Sequence, residues 1–121
     1  MANKYNNKVT VVDGISFDSK KEAFHYVRLR GKEQRGEISD LRLQVQYELL
    51  PALWDESTGP RGGIKRKCLQ QAVHYVADFV YEVDGEEVVV DVKSAITRKN
   101  PVYILKKKMM RALLGIEIKE L

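Results

Sequence analysis

At 121 residues the chain has room for one domain with a single core and not for two. Its 44% hydrophobic and 31% charged make-up is that of a soluble globular protein, and its one cysteine, Cys68, with only His25 and His74 beside it, excludes both a disulfide framework and a convincing zinc set. No apolar run is long enough to cross a membrane and no secretory signal opens the chain, so a cytoplasmic location is expected, while the net charge of +4 admits an anionic partner.

Residues 1–8 are expected to fray ahead of a small β-ribbon over 9–17, whose turn is Asp13-Gly14. Ser19, with Glu22 three positions on, forms a capping box that starts a helix. Ala23, Tyr26, Val27 and Arg30 share one side of it, Phe24 extends that stripe, and Gly36 stops it. Glu22 has two readings here, a helix cap alone or a side chain facing the acid patch described below. Leu41, Leu43, Val45, Tyr47 and Leu49 alternate with polar residues as a half-buried strand ended by Pro51. Residues 52–67 read as a long basic loop carrying Trp54, Arg61, Lys65, Arg66 and Lys67, either a phosphate contact or a solvated insert. After the central hairpin, Asn100 caps and Pro101 opens a second helix closed by Gly115, with Val102, Leu105, Met109, Ala112 and Leu113 on its buried side. Lys106, Lys107, Lys108 and Arg111 lie opposite, with Arg98 and Lys99 just ahead, and Ile116 to Leu121 form a last strand.

The run from Val73 to Lys93 carries the chemistry. Its apolar residues are β-branched or aromatic, and Asp84-Gly85 in the middle is the strongest local sign of a two-residue turn. That turn sets Val83 against Glu86, Tyr81 against Val88, Phe79 against Val90, and Asp78 against Asp91. Period-two alternation places Lys93 on the face of Asp91, and His74 and Val76 on the face of Asp78. Opposed side chains have β-carbons about 4.5–5.5 Å apart, where like charges destabilise a sheet. Two readings follow: solvated acids paired with Lys93, or carboxylates that share a hard divalent cation beside an ammonium able to steady a phosphate. Both acids interrupt strands that otherwise look buried, and a buried unpaired carboxylate is costly enough to mark function.

After the ribbon the elements run helix, strand, strand, strand, helix, strand, with Glu22 in the first helix, Asp78 in the second strand and Asp91-Val92-Lys93 ending the third. This pattern resembles the PD-(D/E)xK nuclease superfamily. Asp13 to Ala23, Ile38-Ser39-Asp40-Leu41, Tyr75 to Phe79 and Asp91-Val92-Lys93 further resemble a family of small phage and prophage endonucleases related to Holliday junction resolvases. Ala77 stands where the superfamily's eponymous proline would be.

The resemblance implies an α/β (α+β) fold with a restriction-endonuclease-like core of order α-β-β-β-α-β and a mixed central sheet flanked by helices. It also implies Mg²⁺ or Mn²⁺ on Asp78, Asp91 and the Val92 carbonyl, with Glu22 either joining through water or acting on the nucleophile. Lys93 would orient the attacking water, and Lys106 or Lys107 would contact the scissile phosphate. DNA would be the partner; Arg98 and Lys99, and Arg61, Lys65, Arg66 and Lys67, are candidate contacts by their charge alone, and the 61–67 loop has no counterpart in the superfamily core. Junction resolution needs two symmetric cuts and so a homodimer, with the 41–49 strand and the N-terminal ribbon as candidate surfaces. No small-molecule cofactor is expected. Two alternatives stand beside this reading: a nuclease without junction preference, and a non-catalytic DNA-binding module.

Overall fold

The computed structural model describes residues 9–121, so the expected fraying of 1–8 lies outside the described residues. Strands β1 (Thr10–Val12) and β2 (Ile15–Phe17) pair as an antiparallel ribbon. Asp13 and Gly14 both have positive φ, 53° and 75°, as a tight hairpin turn of the I′ kind requires. Helix α1 (Lys20–Gln34) starts where the Ser19 hydroxyl accepts the Glu22 N–H at 3.1 Å. It buries Ala23, Tyr26 and Leu29, while Phe24 and Val27, placed by periodicity on the inner stripe, are exposed. The inner face is set by what the helix meets, and Tyr26 is drawn in by Phe17, 5.1 Å between ring centres, and by Asp13, which accepts its hydroxyl at 3.1 Å.

The central sheet has four strands, β3 (Ser39–Leu50), β6 (Val73–Val83), β7 (Glu86–Asp91) and β8 (Ile118–Glu120), in the order β3-β6-β7-β8. The first three are antiparallel neighbours, and β8 runs parallel to β7. A parallel return needs a crossover. Here it is made by α2 (Ala95–Arg98) and α3 (Pro101–Leu114), the latter capped by the Asn100 side chain and closed by Gly115 in the left-handed conformation. The result is a mixed sheet between helices, an α+β protein of the class the sequence predicts.

Two cores sandwich this sheet. Leu41, Leu43, Phe79, Tyr81 and Val90 pack with α1, whereas Val45, Tyr47, Leu49, Tyr75, Ala77, Val80 and Val89 pack with Tyr103 and Met110 of α3. Odd-numbered residues of β3 therefore face α1 up to Leu43 and α3 from Val45 onward, and β6 makes the same exchange between Ala77 and Phe79. The pivot is Gln44, which has a positive φ of 52° and lies level with Asp78 between the pairs Leu43↔Phe79 and Val45↔Ala77. Plain alternation, which reads 41–49 as one half-buried strand and puts Val76 rather than Tyr75 beside Asp78, does not foresee this.

Two other expectations are corrected. Residues 52–67 are not a loop: β4 (Leu53–Thr58) and β5 (Ile64–Gln70) form an antiparallel ribbon closed by residues 59–63. Backbone pairing, which needs no buried face, orders it. On α3 the buried side is Tyr103 and Met110, while Val102, Leu105 and Leu113 are exposed. Both sides of that helix carry apolar residues, and the crossover from β7 to β8 decides which one meets the sheet.

Candidate active site

The Asp84-Gly85 turn, again with positive φ at both residues (51° and 81°), sets the β6–β7 register at Val83↔Glu86, Tyr81↔Val88 and Phe79↔Val90, as the sequence predicts. One step further on, Asp78 takes the Val92 N–H at 2.9 Å with its carboxylate. Strand β8 fixes the neighbouring segment, since the Leu121 N–H donates to the Asp91 carbonyl at 2.9 Å and the Lys93 N–H to the Leu121 carbonyl at 3.2 Å. Asp91 and Lys93 thus extend from a strand held on both sides.

Asp91 is the only buried charged side chain among the described residues, 1% exposed. Its Oδ2 accepts a short hydrogen bond from the Tyr75 hydroxyl and lies 3.1 Å from the Lys93 ammonium. Lys93 Nζ in turn sits 4.6 Å from the centre of the Tyr103 ring, so two partners hold the cation in place. Asp78 is within hydrogen-bonding reach of Asp91. Burial first, then the hydrogen bond to Asp91 and the charge on that carboxylate, push the Asp78 carboxyl up to about 8, against the downward pull of the Val92 N–H. Tyr75 is likewise raised, by burial and then by the Asp91 carboxylate that accepts its proton.

Glu22, at the start of α1, joins the group through Gln44. The Gln44 side-chain amide lies 3.3 Å from Glu22 Oε1 and 3.4 Å from Asp78 Oδ1, so one residue of unusual backbone conformation bridges the two acids. Burial, then Asp18 and Asp91, raise the Glu22 carboxyl, with Lys93 opposing. The Lys21 ammonium donates to the Lys93 carbonyl at 3.0 Å and ties α1 to the same strand end.

A hard divalent cation fits this donor set as a two-carboxylate ligand. Among the described residues no three His, Cys, Asp or Glu side chains cluster closely enough to hold a metal. The pair Asp78 and Asp91 is what is assembled, with Glu22 one glutamine away and the Val92 N–H donating to Asp78. Mg²⁺ commonly uses one or two carboxylates and keeps water in its remaining positions. Two carboxyls close enough to retain a proton near neutral pH also offer a cation the place of that proton.

Beside Lys93 a cleft of about 410 Å³ opens between β6 and α3. His74, Tyr75, Asn100, Tyr103 and Lys106 line it with Lys93, and no acid does. It therefore suits an anion. Of the basic residues predicted to meet DNA, Lys106 stands on this cleft, whereas Lys107 turns away to Glu120 at 3.2 Å. Arg98 lies by that second pair, Lys99 caps α2, and Arg61, Lys65, Arg66 and Lys67 belong to the β4–β5 ribbon. Gln44, Tyr75, Tyr103 and Lys21 were not legible as site residues. A pairing of β3 with β6 read at the right register would have exposed Gln44 alone.

A family model described as a protein of unknown function, DUF1064, matches residues 2–117 of the chain. No curated protein and no solved structure matches it.

Proposed function

The chain belongs to the DUF1064 family, and we propose that it is a metal-dependent DNA endonuclease that hydrolyses phosphodiester bonds in branched DNA of the Holliday-junction type. The observation that carries this reading is the Asp78–Asp91 carboxyl pair with the Lys93 ammonium 3.1 Å from Asp91 and a basic cleft alongside. Neighbouring acids favour a cation, an adjacent fixed ammonium favours a phosphate, and a cleft lined without acids favours a polyanion.

Asp78 and Asp91 would hold Mg²⁺ or Mn²⁺, and the ion would supply Lewis-acid chemistry at the phosphate. Lys93, steadied by Asp91 and the Tyr103 ring, orients the attacking water and offsets the charge gathering on the phosphorane oxygens. Gln44 keeps Glu22 near Asp78, where Glu22 takes up the proton that the nucleophile loses; its raised proton affinity suits that task. Lys106 binds a backbone phosphate in the cleft and positions the strand. Cutting a junction on two strands calls for a homodimer.

Incubation of the purified protein with labelled four-way junction, linear duplex and single strand, each with Mg²⁺, Mn²⁺ or chelator, tests the reading. Paired metal-dependent nicks confined to the junction are the expected result. Cutting of every duplex keeps the chemistry and removes the junction preference. DNA binding without cleavage in either metal overturns the enzyme reading in favour of a binding module.

A further inference from the structure

The β4–β5 ribbon is a free-standing arm. Every residue of both strands is exposed, and among the described residues neither strand packs extensively on another element; at the root the Gln70 side chain donates to the Pro51 carbonyl at 3.1 Å. An isolated two-stranded hairpin is marginally stable in water, so a surface of this kind makes sense as one that a partner covers.

The charge pattern indicates the partner. Arg61, Lys65, Arg66 and Lys67 face only Asp55 and Glu56. Arg66 is engaged within the ribbon, 3.3 Å from Glu56 and 4.8 Å from the centre of the Trp54 ring. Arg61, Lys65 and Lys67 form no ion pair among the described residues. The register Asp55↔Lys67 and Ser57↔Lys65 puts both lysines on one face, opposite the face that carries Trp54 and Cys68. A second copy of the chain would need a self-complementary surface, and two arms with the same excess of positive charge repel. A polyanion is complementary.

Geometry narrows this further. The ribbon prolongs the β3–β6 pair, which ends at Leu50↔Val73. Asp78 stands eight positions after Gln70, which at about 3.3 Å per residue of extended chain is at most roughly 26 Å, and the arm continues beyond that. One turn of B-DNA rises about 34 Å, and its major groove, about 12 Å wide, admits a two-stranded ribbon.

We infer that the β4–β5 ribbon is a duplex-gripping arm, which lies in a DNA groove about one helical turn from the scissile phosphate and contacts backbone phosphates through Arg61, Lys65 and Lys67. This rests on the DNA reading of the Asp78 site, yet it is tested by binding, with chelator present, so that a failure to cleave leaves it measurable.

The triple variant Arg61→Gln, Lys65→Gln, Lys67→Gln is expected to weaken binding to a duplex of two or more turns about 10- to 100-fold. It should also reduce the slope of log affinity against log salt by about two to three. On a duplex of about 12 base pairs, roughly one turn, the loss should be much smaller. An affinity and a salt slope left unchanged in the triple variant would overturn the inference. So would a triple variant that loses self-association in sedimentation while keeping its DNA affinity, since the arm would then serve a second copy.

Discussion

The Asp78 site and the β4–β5 ribbon both gather charged side chains, and they hold them in opposite ways. At the site each group is committed: Asp91 to Tyr75 and Lys93, Asp78 to Val92 and Gln44, Lys93 to Asp91 and the Tyr103 ring. Desolvation makes each commitment necessary and raises the proton affinity of the Asp78 and Glu22 carboxyls, and Gln44 beside them has a left-handed backbone. On the ribbon the charges stay in water, cost little, and leave no such mark.

Substitutions can break that contrast, and the largest effect is expected at the site. Asp78→Asn should lower metal-dependent cleavage about 10²- to 10⁴-fold while leaving duplex affinity in chelator nearly unchanged, which gel cleavage and anisotropy assays separate, and Lys93→Ala should lower cleavage as far. Ribbon variants should do the reverse. If Asp78→Asn cuts as well as the wild type, the committed charges are structural and the contrast carries no functional meaning.

Next in size is Tyr75→Phe. It strips a donor from a carboxylate that is 1% exposed and should cost about 1–3 kcal/mol in urea unfolding. Gln44 follows. Its positive φ suits glycine, so Gln44→Gly should be about 1 kcal/mol more stable than Gln44→Ala. Both should lose roughly tenfold in cleavage through the lost bridge to Glu22.

The pH dependence of stability tests the site's electrostatics directly. The Asp78 carboxyl, ordinarily at 3.8, sits at about 8 in the folded chain, so between those values the native state keeps a proton that the unfolded chain releases. Unfolding free energy in chelator should therefore fall as pH rises from 5 to 8, with Glu22 adding in the same direction. Asp78→Asn should flatten that fall, as should saturating Mg²⁺. Smallest of all, Lys65→Gln with Lys67→Gln should change stability by no more than about 0.5 kcal/mol, since nothing in the fold leans on either side chain.

The β6–β7 hairpin was legible because its register is local: two residues with positive φ close the turn, and every pair follows by counting. The meeting of Asp78, Asp91 and Lys93 followed from that count alone. The same counting failed on β3 and on β6 below Asp78, where the strands exchange faces around Gln44, a residue with no local signal for a left-handed conformation. On α3, apolar residues on two sides gave periodicity no means to choose. On the ribbon, glycines, a proline and charge imitated a loop because neither strand has a buried face.

What this chain's sequence determined by itself is whatever short-range chemistry enforces: the two Asp-Gly turns, the Ser19 and Asn100 caps, and through one turn the β6–β7 register from Val83↔Glu86 to Phe79↔Val90, next to which Asp78 and Asp91 stand. Only the tertiary structure decided which stripe of each helix is buried, that Gln44 links Glu22 to Asp78, and that Tyr75 and Tyr103 hold Asp91 and Lys93. The reason is physical. Those outcomes depend on contacts between elements distant in the chain, and their energies come from shared burial that no single segment contains.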